Sequence, residues 1–109
     1  WTAGNVTVTY SNFSGNSAIS GGGIHQESTS ASMDLGCSFM NLNNADNNSG
    51  FGGAGNFVDG ALTVSGVTFE ANSAGSGGGA LNLATTAAIA NSGFLTNFAP
   101  FGGGGAMTK

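Results

Sequence analysis

Phe69-Glu70-Ala71-Asn72-Ser73-Ala74-Gly75-Ser76-Gly77-Gly78-Gly79-Ala80-Leu81 carries the pattern that decides the architecture of this chain. A phenylalanine is followed by an asparagine three residues on, and by a glycine cluster that begins eight residues on. The pattern recurs upstream as Phe13-Ser14-Gly15-Asn16 with Gly21-Gly22-Gly23-Ile24. It recurs downstream as Phe94-Leu95-Thr96-Asn97 with Gly102-Gly103-Gly104-Gly105-Ala106-Met107. A degenerate copy lies between, Phe39-Met40-Asn41-Leu42-Asn43 followed by Gly52-Gly53-Ala54. Successive phenylalanines are 26, 30 and 25 residues apart. A period of about 20 to 50 residues signals stacked repeats, because a unit of that size buries its apolar side only against its neighbours.

Working outward, each repeat contains an alternation of apolar and polar residues, the strand period of two. It is seen in Val6-Thr7-Val8-Thr9-Tyr10, Ala61-Leu62-Thr63-Val64 and Ala87-Ala88-Ile89. A corner carrying the phenylalanine and asparagine follows. A glycine corner then opens a second strand, as in Gly79-Ala80-Leu81-Asn82-Leu83. These corners comprise Gly21, Gly22 and Gly23; Gly52 and Gly53; Gly77, Gly78 and Gly79; and Gly103, Gly104 and Gly105. No helical period is sustained, and glycine costs a helix about 1 kcal/mol at each site. The chain is therefore expected to be all-β: one parallel β-helix segment of about four coils, at approximately 1–30, 31–60, 61–86 and 87–109. Stacking at about 4.8 Å places equivalent residues in columns. Phe13, Phe39, Phe69 and Phe94 are expected to line the interior. Asn16, Asn72 and Asn97 are expected to form a ladder, since an amide both donates to and accepts from the backbone of a corner.

Charge narrows the function. The 109 residues hold one lysine, Lys109, no arginine and five acids, Glu27, Asp34, Asp46, Asp59 and Glu70. Without a basic patch, nucleic acid is not an expected partner. No apolar run reaches about 18 residues, so no membrane insertion by this segment is expected. The single cysteine, Cys37, cannot form an intrachain disulfide and reads as a small buried hydrophobe.

Chemistry-bearing residues are sparse, and the chain is expected not to be an enzyme. A polysaccharide lyase needs cationic or metal stabilisation of developing charge. A glycoside hydrolase needs two carboxylates about 5–10 Å apart, and Asp34 and Asp59 on adjacent coils are the nearest approach to such a pair. His25, the only histidine, reads as solvent-facing or hydrogen-bonded. No cofactor or metal is expected. Asn44-Ala45-Asp46-Asn47-Asn48 imitates the start of a calcium loop, but Ser49 stands where glycine is needed and Gly55 where the last glutamate is needed.

Thirteen residues separate Phe39 from Gly52, against eight in the other repeats. The excess in 43–49 is expected to project as a loop, with Asn44, Asp46, Asn47 and Asn48 as candidate binding residues. Asn5, Asn12 and Asn47 begin Asn-x-Ser/Thr triplets and are candidate glycosylation sites.

The paired FxxN and GGA[ILV] motifs resemble the repeats of chlamydial polymorphic outer membrane proteins and related large surface proteins. The second motif is literal at Gly78-Gly79-Ala80-Leu81 and nearly so at Gly104-Gly105-Ala106-Met107; Gly22-Gly23-Ile24 lacks the alanine, and Leu42 interrupts FxxN in the second repeat. The resemblance covers essentially the whole chain. It implies a right-handed parallel β-helix, extracellular or on a cell surface, with an adhesive or structural role. That family's membrane-anchoring barrel has no counterpart among these residues. Neither end shows a cap, so both ends are expected to be uncapped and to meet further coils of the same or identical chains, head to tail. Two other functions fit the same residues. One is a carbohydrate- or receptor-binding module, contacting host or surface glycans through the loop 43–49 or a polar sheet face. The other is a non-catalytic fragment of a polysaccharide-active β-helix enzyme.

Overall fold

A computed structural model describes residues 4–27, 29–46 and 48–108. Its strands run in sequence order as β1 (Asn5–Thr9), β2 (Asn12–Ser14), β3 (Ser17–Ala18), β4 (Ile24–Gln26), β5 (Ser32–Gly36), β6 (Phe39–Asn41), β7 (Asn44–Ala45), β8 (Gly55–Phe57), β9 (Ala61–Ser65), β10 (Thr68–Glu70), β11 (Ser73–Ala74), β12 (Leu81–Leu83), β13 (Thr86–Ala90), β14 (Gly93–Leu95) and β15 (Ala106–Thr108). All pairings between them are parallel, and none joins consecutive strands. The sheets are ordered β1-β5-β9-β13, β2-β6-β10-β14, β3-β7-β11 and β4-β8-β12-β15. This is a parallel β-solenoid. The chain completes about three turns from β1 to β13, and β13, β14 and β15 lie above them as a last course. The repeat thus contains four short strands rather than two, and the phenylalanine sits on a strand instead of at a corner.

Alternation within the five-residue strands builds one wall of the core. Along β5 and β9, Met33, Leu35, Leu62 and Val64 are buried while Asp34 and Thr63 face solvent. The β5 strand has no β-branched residue, which is why composition gives little sign of it. Opposite this wall, Phe69 and Phe94 stack with ring centroids 4.8 Å apart and planes 11° off parallel. Within that same sheet the register aligns Phe13, Met40, Phe69 and Phe94. The expected place of Phe39 in the interior column is therefore corrected: Met40 occupies it, 1 % exposed, and Phe39 lies between Asn12 and Thr68 on the outer side. Moving a strand by one residue exchanges its two faces. The second repeat keeps the spacing as Met40-Asn41-Leu42-Asn43, with methionine in place of phenylalanine.

The corners require unusual backbone. Tyr10, Cys37, Gly66 and Asn91 follow the long strands, and Gly15, Leu42, Ala71 and Thr96 precede the asparagine position; all eight have φ between 44° and 67°. Non-glycine residues in this left-handed region cost roughly 1–2 kcal/mol each, so the stacked strands on either side hold them there. Cys37 is exposed at such a corner, correcting its reading as a buried hydrophobe.

Farther along each coil, Gly22, Gly53 and Gly79 form a column where successive turns nearly touch. An added Cβ would lie 2.7 Å from Asn44 O at Gly22, 2.7 Å from Ser73 N at Gly53 and 2.6 Å from Phe98 N at Gly79. Backbone hydrogen bonds of 3.0–3.3 Å cross this corner, from Gly21 and Gly22 to the second turn and from Gly52 and Gly53 to the third. In the last course Ala106, not Met107, stands above Leu81, so the GGA-type motif there is Gly103-Gly104-Gly105-Ala106.

The register generates a direct test. Met40→Ala is expected to cost about 2–5 kcal/mol, as for a buried methionine, and Phe39→Ala less than half as much. Urea unfolding followed by circular dichroism would measure both, and the reverse order would refute the assigned register.

Candidate functional site

The densest polar constellation lies inside the solenoid. Asn16, Asn43, Asn72 and Asn97 occupy one corner in successive coils; Asn43 and Asn72 are fully buried. Asn16 Nδ2 donates to Asn43 Oδ1 at 3.0 Å, Asn43 Nδ2 to Asn72 Oδ1 at 3.0 Å, and Asn72 Nδ2 to Asn97 Oδ1 at 2.9 Å. Each acceptor oxygen also receives the backbone N–H of the asparagine one turn earlier, at 3.0–3.1 Å. The second amide hydrogen reaches back to a backbone carbonyl of the preceding turn: Asn43 to Phe13 O, Asn72 to Met40 O and Asn97 to Phe69 O, at 2.8–2.9 Å. The amide of Asn72 therefore fills all of its donor and acceptor roles at a corner where the strand ladder is interrupted. The expected ladder of Asn16, Asn72 and Asn97 gains Asn43, hidden in the sequence by the misleading phenylalanine beside Met40.

A second polar column was not anticipated. The register of β4, β8, β12 and β15 aligns His25, Asn56, Asn82 and Met107. Asn82 Nδ2 donates to Asn56 Oδ1 at 2.7 Å, and Asn56 Nδ2 donates to Ser20 Oγ at 2.9 Å and lies 3.3 Å from His25 Nδ1. Here the donors face the earlier coil, the reverse of the first ladder. Among the described residues Asn82 Oδ1 is buried without a hydrogen-bond partner. An asparagine two residues after a glycine-alanine pair, in Ala54-Gly55-Asn56 and Ala80-Leu81-Asn82, was the available signal.

This column ends at a shallow open depression of about 390 Å³, lined by Ala18, Ile19, Ser20, Gly21, Gly23 and His25. His25 Nε2 is 3.3 Å from Glu27 Oε2. An imidazole with its proton on Nε2 satisfies both contacts, donating to Glu27 and accepting from Asn56. Ser20 Oγ lies 3.3 Å from Phe51 O and donates to it, directing its proton at a carbonyl rather than at the imidazole. This is a structural hydrogen-bond pattern, without the nucleophile-to-base contact that acyl transfer requires.

The stretch 43–49 divides. Asn43 belongs to the ladder, and Asn44 lies in β7, where its Oδ1 accepts from Ser73 Oγ at 2.7 Å. The projecting part begins at Asp46. Its carboxylate lies 3.3 Å from both Asn48 N and Ser49 Oγ, and its carbonyl accepts from Gly50 and Gly75. Asp46 thus closes its own turn, and Asn48 remains exposed; Asn47, a candidate for binding and glycosylation, lies outside the described residues. Asn5 and Asn12 are exposed on β1 and β2, with Asn5 Oδ1 accepting from Ser32 Oγ. Asp34 is exposed on β5, and Asp59 accepts from Gly60 N. Among the described residues no group of three or more His, Cys, Asp or Glu side chains is placed to hold a metal ion. No described helix is long and apolar enough to cross a membrane.

Compared with protein-family models, curated proteins and solved structures, the chain matches none.

Asn72→Ala is expected to lose at least about 2 kcal/mol, because it orphans the Asn43 amides and Met40 O in the interior. Asn72→Asp, nearly identical in shape, is expected to lose at least as much, since a carboxylate would face Met40 O and Asn97 Oδ1. Thermal unfolding of the two variants beside the parent chain checks this. Little change in either would remove the ladder from the account of stability.

Proposed function

We propose that this chain is a structural β-helix element displayed outside the cell, adhesive or scaffold-forming, whose role is mechanical. The observation that carries this reading is the use of its buried polar groups. The buried asparagines bond coil to coil, and the amide of Asn72 is fully engaged by the turns on either side. Side chains used in this way stiffen a stack and leave none of these amides facing a substrate. The FxxN and glycine-corner motifs, in the likeness of polymorphic outer membrane protein repeats, support a surface location. So does the scarcity of lysine and arginine, which leaves an exposed element with almost no trypsin-type cleavage sites.

A second reading, a glycan-binding face, has one observation in its favour. Phe39 lies outside the core between Asn12 and Thr68, with Asn41 and Glu70 adjacent on the same sheet. An aromatic ring flanked by amide, hydroxyl and carboxylate groups suits the apolar face and the hydroxyls of a sugar ring.

The mechanical reading predicts that the folded chain outlasts a broad-specificity protease such as proteinase K. Digestion is expected to leave a core spanning β5 to β12 at times when an unfolded control is fully degraded. Rapid loss of that core would sink the reading. A glycan array probed with the parent chain and with Phe39→Ala separates the second function: binding lost in the variant would favour it.

A further inference from the structure

Five acids are spread along the chain, and the corner between β8 and β9 holds one of them in a reactive arrangement. Val58 is exposed there, and Asp59 and Gly60 are half-buried. The Gly60 N–H donates to Asp59 Oδ1 at 2.9 Å. Gly60 has a φ of 86°, a left-handed conformation that favours glycine. The carbonyls of both residues are tied to other coils. Gln26 Nε2, fully buried in the coil before, donates to Asp59 O at 2.9 Å. Thr85 Oγ1, in the coil after, donates to Gly60 O.

A backbone nitrogen that reaches Oδ1 of the preceding residue is also close to Cγ, the carbon between the two carboxyl oxygens. The contact brings nucleophile and electrophile to a near-attack separation of about 3–3.5 Å. The N–H points at the carboxyl group, so the lone pair left when that proton departs points at it too. Glycine has no side chain to shield its nitrogen. The fold needs glycine here for its φ, and the same choice bares the nucleophile.

We propose that Asp59-Gly60 is a site of spontaneous covalent modification, closing to a succinimide and reopening to isoaspartate. The Gly60 nitrogen gives up its proton and bonds to Asp59 Cγ. A C–O bond of the protonated carboxyl breaks, and that oxygen leaves as water with the carboxyl proton and the proton from nitrogen. The ring then takes up one water. Opening at Cγ restores aspartate. Opening at the former main-chain carbonyl leaves the chain running through Cβ and Cγ, with that carbonyl released as a carboxylate. Nothing is oxidised or reduced. The product carries one more main-chain atom between β8 and β9. Gln26 and Thr85 hold this corner at its original length, so conversion loosens it and marks the age of the chain.

The other acids are placed differently. Glu27 and Glu70 have one methylene too many for a five-membered ring. Asp34 lies within β5 before Leu35, whose own side chain shields its nitrogen. Asp46 turns its carboxylate to Asn48 N and Ser49 Oγ. None of this depends on the mechanical reading.

The test is to incubate the folded parent chain for several weeks at body temperature and mildly acidic pH, in water labelled with heavy oxygen. An endoproteinase that cuts before aspartate but not before isoaspartate, followed by mass spectrometry, reads each site. The peptide spanning Asp59 is expected to gain labelled oxygen and lose the cut at that residue, about tenfold or more faster than Asp34 or Asp46. A form one water lighter is expected as the intermediate. Asp59→Glu keeps the charge but removes the five-membered ring, and is expected to show neither change. Absence of label at Asp59 in the parent chain, or equal labelling of all three aspartates, overturns the proposal whether or not the variant folds. So does a rate in the folded chain well below that in urea, because the fold would then be guarding the bond instead of presenting it. A converted fraction that resists proteinase K as well as the unconverted one overturns the loosening of the corner. Protease resistance of the fresh chain tests the mechanical reading separately, so the two can fail independently.

Discussion

A buried amide that must satisfy four hydrogen-bonding roles at once is the constraint on which this solenoid depends. At the corner after β2, β6 and β10 the backbone turns through a left-handed residue and leaves its strand ladder. The unpaired groups cannot be abandoned in the interior, where each would cost about 1–3 kcal/mol. Asparagine resolves this by accepting from the turn below while donating both to that turn and to the turn above. The geometry works only if successive asparagines lie one sheet spacing apart, so the ladder fixes the height and phase of every coil together.

Two other features follow from that phase lock. Aromatic and aliphatic columns can pack ring on ring because their backbones are already aligned; the close stacking of Phe69 on Phe94 is the visible result. Coils held at this spacing must also pass one another without a Cβ where the chain bends inward, which is the reason for the Gly22, Gly53 and Gly79 column. The additional residues of the second turn, around Asp46, do not disturb the phase. Asp46 ties them into a compact turn with its own carboxylate and carbonyl, and the chain rejoins the stack at Gly52.

Much of this architecture was legible in the residues. The spacing of Phe13, Phe69 and Phe94, their asparagines and the glycine clusters announced a parallel stack and one ladder. What misled was Phe39. Phenylalanine is so strong a core signal that it displaced the frame by one residue and concealed both Met40 and Asn43. A flexible methionine fills the same space as a ring, and nothing in composition tells an outward phenylalanine from an inward one. The Asn56–Asn82 column escaped notice because it depends on which side of a three-residue strand faces the glycine corner, and three residues are too few to show a period. Non-glycine residues at left-handed corners were equally hidden: Tyr10, Cys37, Leu42 and Thr96 have no preference for that conformation and are held there by their neighbours. The depression beside His25 is lined by the one stretch from Ala18 to His25, which carries no residue pattern that marks a hollow.

The opposite orientation of the two amide columns has an electrical consequence. In the corner ladder the carbonyl ends point toward earlier coils; in the Asn56–Asn82 column they point toward later ones. Their dipoles therefore oppose each other along the stacking direction, and the parallel sheets between them contribute little net dipole. The corner ladder runs through four courses and the second column links only two asparagines, so the shorter column offsets part of the ladder's dipole along the stack.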